Sequence, residues 1–245
     1  MTPGSSAGGS SRIRLEGATV TVPVDGDSSR RERTILGPVD LELTERRVTV
    51  VGANGSGKST LLRLLNGLVL PTGGSVDVDG LDTRLDGARV RRRVAFAFTD
   101  PLSQLVMPTG REDVELSLRR VHRSRVERRS AAEGVLGRFG LSHFADRSVH
   151  ELSGGERQLM ALAVVLATEP AVLVLDEPTT LLDLRNTALL RRLLADLEQV
   201  LVVATHDLDL ALDADRTLVV DAGRVVFDGP PAQAVDHYRA LASRP

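Results

Sequence analysis

The sequence predicts an α/β fold built on a parallel sheet, and three observations carry that expectation. Strand-like runs and segments at helical spacing alternate along the chain. Ala171–Leu175 is an unbroken apolar run, the pattern of a strand covered on both faces. Val48-Thr49-Val50-Val51 leads straight into a glycine-rich loop and then a leucine-spaced helix.

Taken in order, the Gly- and Ser-rich stretch 1–11 lacks the apolar core of a secretory signal and is expected to be a disordered tail. Ile13–Val22 alternates loosely and is expected to form an edge strand, followed by a polar loop over 25–33. Leu41-Glu42-Leu43 reads as a second short strand, and Val48–Val51 as a third. Leu61, Leu62, Leu64, Leu65 and Leu68 then fall on one helical face, which stops near Gly67 and Pro71. Ser75–Val78 is a strand closed by the Asp79-Gly80 turn, and Val94–Phe98 is another, ended by Pro101.

From Glu112 to Leu141 the pattern is helical and rich in arginine (Arg119, Arg120, Arg123, Arg125, Arg128, Arg129). Such a face could meet RNA or lipid headgroups; a solvated face balanced by Glu127 and Glu133 is the plainer reading. A helix follows Leu152-Ser153-Gly154-Gly155-Glu156 and runs to about Ala167, ahead of the strand Ala171–Leu175. Leu189–Leu197 is helical, Val200–Ala204 a strand, and Leu208–Leu212 the start of a helix. Leu218–Val220 and Val225–Phe227 flank a hairpin turn at Asp221-Ala222-Gly223-Arg224. The expected organisation is one domain over residues 12–245, with a helical lobe at about 100–168 inside it.

Bulk properties narrow the function classes. The chain has 245 residues, 42% of them hydrophobic, which is ample for a core. A formal net charge of −2 exerts no global pull on nucleic acid, and with no tryptophan and one tyrosine, stacking platforms are scarce. No cysteine is present, so disulfides and thiolate metal sites are excluded. No apolar run approaches the roughly 20 residues that span a bilayer. A soluble chain is expected, so a partner would do any spanning. Among the 31 basic residues a single lysine occurs, Lys58. Its compact ammonium can sit among phosphate oxygens where a planar guanidinium fits poorly.

Gly52-Ala53-Asn54-Gly55-Ser56-Gly57-Lys58-Ser59-Thr60 has the spacing of a phosphate-binding loop, between a strand and a helix as that chemistry requires. Glycines let backbone N–H groups turn onto phosphates, and the helix N-terminus adds a favourable field. Lys58 is expected to bridge the β- and γ-phosphates, and the Ser59 hydroxyl to ligate Mg²⁺. Asp176 and Glu177 emerge at the C-terminal end of an apolar strand, where parallel sheets place ligands. Asp176 is suited to hold Mg²⁺, and Glu177 to orient and deprotonate an attacking water. Ser153 caps a helix whose first residues, Gly154 and Gly155, expose bare N–H groups, a further anion site.

Leu152-Ser153-Gly154-Gly155-Glu156 resembles the signature of the ATP-binding cassette (ABC) ATPases. The resemblance implies a phosphate-loop ATPase core with an N-terminal antiparallel β-subdomain and an inserted helical lobe carrying the signature. It implies ATP and Mg²⁺ as ligands. It further implies a head-to-tail dimer with a second such subunit, identical or not, in which Ser153, Gly154, Gly155 and Glu156 meet ATP held on the opposite phosphate loop. The remaining stations follow in family order: Asp183 as a dimer contact and His206 as the switch histidine beside the γ-phosphate. Two positions depart from the family pattern. Thr99 stands where a glutamine touches Mg²⁺ and the transmembrane partner, and Val22 where an aromatic stacks on adenine. The first makes contact through water the expectation, and the second loosens base selectivity.

The stretch Asp100–Thr109, with Gln104, and the acids Glu112 and Asp113 resemble the energy-coupling factor importers of vitamins and transition-metal ions. That resemblance implies a transmembrane coupling protein, a substrate-binding membrane protein and a place on the cytoplasmic face of the membrane. Thr99, Gln104, Glu112 and Asp113 would lie toward the coupling protein, although the two acids also suit the first turn of a helix through its dipole. Biotin, cobalt and nickel stay open as substrates, with biotin slightly preferred. An ABC ATPase working on ribosomes or nucleic acid is the alternative, though the long insertions or second cassette of such chains are missing. A non-enzymatic regulatory cassette would lack Glu177 or His206, and both are present.

Overall fold

The computed structural model describes residues 11–23 and 32–243. The expected tail therefore lies outside the described residues except for Ser11, which is buried. Most of the polar loop 25–33 lies outside them as well.

Two sheets enclose one helix. The first is antiparallel, in the order β2-β1-β4-β5, from β1 (Ile13–Pro23), β2 (Glu32–Leu43), β4 (Gly73–Val78) and β5 (Leu81–Asp82). The second has the order β10-β9-β3-β8-β7-β6. Its strands are β3 (Arg47–Val51), β6 (Val94–Ala97), β7 (Val172–Asp176), β8 (Val200–Ala204), β9 (Arg216–Asp221) and β10 (Arg224–Gly229). All neighbours in it are parallel except the β9–β10 hairpin.

Helix α1 (Lys58–Leu65) is the filling between the sheets. Leu61, Leu62, Leu64 and Leu65 are buried in one cluster with Ile13 and Leu15 of β1, Val76 and Val78 of β4, and Val48, Val172 and Val202 of the parallel sheet. Each such leucine contributes about 1.5–3 kcal/mol by leaving water. On β7, successive residues serve opposite faces: Val172 and Val174 point to α1, while Leu173 and Leu175 join Leu162, Leu190 and Leu194 on the other side. Those last side chains come from α5 (Gly154–Leu166) and α6 (Leu184–Asp196). This double covering is why the strand reads as continuously apolar.

A separate cluster unites α3 (Gly110–Ser117), α4 (Arg125–Arg138) and the opposite face of α5, through Val114, Leu136, Leu159 and Met160. The shorter helices are α2 (Gly87–Arg93), α7 (Leu208–Leu212) and α8 (Pro231–Ala242). Among the described residues no helix is long and apolar enough to cross a membrane.

Four local expectations change. β1 is an interior strand, paired with β2 on one side and β4 on the other, because its loose alternation hides bulges near Gly17. β2 is longer than Leu41–Leu43, extending back to Glu32. The helical stretch 112–141 is two helices, α3 and α4, separated by a tight turn and residues 121–124. Leu68 lies beyond the end of α1 and is 45% exposed, so the apolar face stops at Leu65.

Candidate active site

The C-terminal ends of β3, β6, β7 and β8 lie along one edge of the parallel sheet, and Gly52, Thr99, Glu177 and His206 follow them there. Parallel pairing of Leu175 with Val203 and Asp176 with Ala204 brings residues distant in sequence to one ridge.

Between β3 and α1 the loop carrying Gly52, Asn54, Gly55, Ser56 and Gly57 wraps the head of α1. Gly57 takes φ 110° at the helix N-cap, a conformation a side chain would strain. A Cβ at Gly52 would stand 2.1 Å from the Val220 carbonyl oxygen. The hairpin tip closes over the loop, Gly223 N–H donating to the Ser56 carbonyl at 2.8 Å. Lys58, 5% exposed, donates through Nζ to the Gly52 and Ala53 carbonyls at 2.8 and 3.1 Å. The next residues of the motif, Ser59 and Thr60, follow Lys58 in the first turn of α1.

Two acids at the end of β7 serve different neighbours. Asp176, 3% exposed, accepts a hydrogen bond from Ser59 Oγ at 3.0 Å. Burial pushes its carboxyl above the usual carboxylate range, against the opposing pull of the Ser59 hydroxyl, Arg63 and Lys58. Glu177 has φ 53°, unusual for a side-chain-bearing residue, and its N–H donates to Ala204 at 2.9 Å. One oxygen, Oε2, lies 2.6 Å from His206 Nδ1 and accepts from the His206 N–H at 3.2 Å. The other, Oε1, is 3.6 Å from Lys58 Nζ and is buried without a hydrogen-bond partner. An ionised Glu177 requires the His206 proton on Nδ1.

Oxygen donors at Ser59 and Asp176 are of the kind Mg²⁺ selects, and a single carboxylate leaves room for water and substrate phosphate. Among the described residues no group of three or more His, Cys, Asp or Glu could cage a metal by itself. A phosphate-borne Mg²⁺ fits this donor set. Thr99 follows β6 on the same sheet edge, and its hydroxyl makes no hydrogen bond among the described residues.

Gln104 folds back on the residue just after β6. Its Oε1 accepts from the Phe98 N–H at 3.0 Å, while its Nε2 is buried with no partner. Glu112 and Asp113 do not form a common acidic surface. Asp113 is 2% exposed and turned inward, accepting from the Val106 and Met107 N–H groups at 3.1 Å each. Burial raises its carboxyl above the ordinary range. Glu112 closes a capping box with Thr109 at the head of α3.

Ser153 and Glu156 form a second capping box at the head of α5: Ser153 N–H donates to Glu156 Oε2 at 2.7 Å, and Glu156 N–H to Ser153 Oγ at 3.3 Å. The Glu156 N–H is thus engaged within the box, which leaves the first-turn N–H groups of Gly154 and Gly155. This segment shares no hydrogen bond with the phosphate loop among the described residues; it packs instead on the start of α6. A Cβ on Gly155 would lie 2.5 Å from Asn186 Nδ2, and Asp183 caps α6 by accepting from the Asn186 N–H at 2.8 Å. The sequence carried no local signal for that contact, nor for the Gly223–Ser56 bond. Val22 pairs with Arg33 near the end of β1 and is 38% exposed.

A phosphate loop on α1, two acids closing β7 and a histidine after β8 define a nucleotide-hydrolysing α/β ATPase. Comparison with protein families matches residues 36–180 to the ABC transporter family. The biotin transport ATP-binding protein of Rhizobium etli is 46% identical over 211 residues, covering 86% of this chain and 94% of that protein. An energy-coupling factor transporter ATP-binding protein of Symbiobacterium thermophilum is 40% identical over 227 residues, covering 89% and 79%. A solved dimeric ATP-binding cassette with ADP and phosphate superposes with a TM-score of 0.78 at 30% identity, covering 89% of this chain and 98% of that one. A cassette of Clostridium perfringens, part of an ABC transporter complex, gives 0.77 at 29%, covering 94% and 92%. The chain belongs to the ABC transporter family. It is an ATP-binding cassette that hydrolyses ATP in the service of transport and resembles the energy-coupling factor type.

Proposed function

We propose that this chain powers an energy-coupling factor importer of a vitamin or transition-metal ion, with biotin, cobalt and nickel as the candidate cargoes. The observation that carries the hydrolytic part is the Glu177 carboxylate, set between His206 Nδ1 at 2.6 Å and Lys58 Nζ at 3.6 Å. Relatives named for biotin transport and for energy-coupling factor transporters support the importer part.

In this reading Lys58 leaves the Gly52 and Ala53 carbonyls and turns to the β- and γ-phosphates of ATP. Backbone N–H groups from Asn54 to Thr60 hold the remaining phosphate oxygens. Mg²⁺ held by Ser59 and Asp176, with Thr99 reaching it through water, would offset phosphate charge. Glu177 orients a water for in-line attack and takes its proton as the γ-phosphoryl group leaves ADP. His206 holds Glu177 in place and faces the γ-phosphate. Each site is completed by Ser153, Gly154, Gly155 and Glu156 of a second cassette, with Asp183 at the contact between them. The dimer sits on the cytoplasmic face of the membrane against a transmembrane coupling protein, which works with a substrate-binding membrane protein. Thr99, Gln104 and Glu112 lie toward that partner, Gln104 through the Phe98 N–H just after β6. Asp113 shapes the same loop from inside.

Affinity purification from detergent extracts tests this reading, followed by uptake of labelled biotin, Co²⁺ and Ni²⁺ by cells with and without the chain. Membrane proteins should co-purify, and one uptake should depend on the chain. Ribosomes or DNA in their place would overturn it.

A further inference from the structure

The arginine-rich stretch over α3 and α4 takes no part in the hydrolytic arrangement of Lys58, Asp176, Glu177 and His206. Between α3 and α4 lies a cavity of about 490 Å³ whose wall includes Arg111, Arg119, Arg125, Arg128 and Arg129. That volume falls within the range of small-molecule sites and far exceeds a single water.

The acids on its wall are largely engaged. Arg111 forms the floor: its Nε and Nη2 grip Asp146 at 2.7 and 2.9 Å, and Nη1 reaches Glu133 at 2.8 Å. That fork is complete, and Asp146 with it. Glu112 is engaged by Thr109, which leaves Glu115 as the one wall acid without a hydrogen bond or ion pair among the described residues.

The cations are not matched in the same way. Arg119 and Arg125 make no hydrogen bond or ion pair among the described residues. Arg128 is fixed from behind, its Nη1 donating to the His122 and Arg123 carbonyls at 3.0 and 2.8 Å. This grip shapes the turn between α3 and α4 and holds the guanidinium in place ahead of any ligand, which lowers the entropy cost of binding. Three arginines thus border one cavity against a single unengaged acid. Guanidinium forks match phosphate oxygens in pairs, and each charge-assisted bond is about twice as strong as a neutral one.

We infer that this cavity binds a phosphate-bearing anion, gripped by Arg119, Arg125 and Arg128. The group could belong to a free phosphorylated small molecule or to the headgroup of an anionic lipid, and the chemistry of recognition is the same.

The test uses the full chain carrying Lys58→Ala, which weakens phosphate binding at the glycine loop. Pyrophosphate is titrated calorimetrically, and flotation compares phosphatidylglycerol with phosphatidylcholine vesicles. Adding Arg119→Ala and Arg125→Ala should weaken one binding event at least about tenfold, the loss expected when charge-assisted bonds are removed. Arg91→Ala with Arg92→Ala, which removes the same charge from exposed positions on α2, should leave it unchanged. Loss in the titration identifies a free anion, and loss in flotation on phosphatidylglycerol alone identifies a headgroup. Absence of binding in both arms, or an equal loss in both double variants, refutes the site. Both substitution pairs lie at exposed positions, and an unchanged melting temperature will show that folding is intact.

Discussion

Glu177 Oε2 sits 2.6 Å from His206 Nδ1, and the His206 backbone N–H donates to the same oxygen. The carboxylate is therefore oriented by the residue that lies just beyond the end of β8, while its second oxygen is left toward Lys58. Glu177→Gln preserves the shape and removes the base. ATP turnover should fall by about 10²–10⁴-fold, the usual range for a lost general base. ATP binding should persist, and size-exclusion chromatography with ATP should report a trapped dimer. Normal hydrolysis by this variant would falsify the assignment.

Asp176 provides a test by pH. Its carboxyl is raised by burial above the ordinary value of 3.8, so the folded chain binds this proton more tightly than the unfolded chain does. Stability from this group is present below 3.8 and is lost as pH rises through the raised value. Asp176→Asn cannot ionise and can still accept from Ser59. The nucleotide-free variant should melt higher than the wild type at neutral pH, and the gap should close as pH falls toward 4. A gain of about 1 kcal/mol corresponds to about 2–4 °C in a chain of this size. Mg²⁺-dependent ATPase activity should be lost in the same variant.

Gly155 and Asn186 test the packing beneath the α5 N-terminus. Gly155→Ala places a methyl group 2.5 Å from Asn186 Nδ2 and 2.9 Å from its Cγ, so the Asn186 side chain must turn away or α5 and α6 must part. ATPase activity should drop, and Asn186→Ala in the same chain should restore part of it. The coupling energy expected for residues in contact is about 0.5–3 kcal/mol. Additive losses in the cycle would mean that the two side chains do not meet.

Asp113 and Glu112 are neighbours with different expected costs. Asp113→Ala strands the Val106 and Met107 N–H groups and should destabilise the fold by about 1–3 kcal/mol. Glu112→Ala removes an exposed charge from a helix N-terminus and should cost about 0.3–1 kcal/mol. Urea melts of the two variants check the order. Equal midpoints would contradict the burial of Asp113.

Much of the site was legible from local chemistry. The phosphate loop needs glycines, a lysine and a serine at fixed spacing, and all lie from Gly52 to Ser59. Asp176 and Glu177 were marked by the apolar strand before them, and Ser153 by its place as a helix cap ahead of Gly154-Gly155, since each rule acts over a few residues. The bond from Glu156 back to Ser153 came only with the structure. β1 was harder, because bulges near Gly17 blur its alternation, and pairing on two sides cannot be read from one strand.

Local residue chemistry was enough to set the class of reaction: a phosphate loop, a strand-end acid pair and a helix ready to receive an anion. How those parts face one another is a matter of the folded chain. Folding turned Asp113 inward, brought Gln104 onto the Phe98 N–H, set Asn186 under Gly155 and placed Glu177 between Lys58 and His206. The bond from Glu177 to His206 spans 29 residues and that from Ser59 to Asp176 spans 117. Contacts at such separations leave no periodicity in the chain; strand order and helix packing create them.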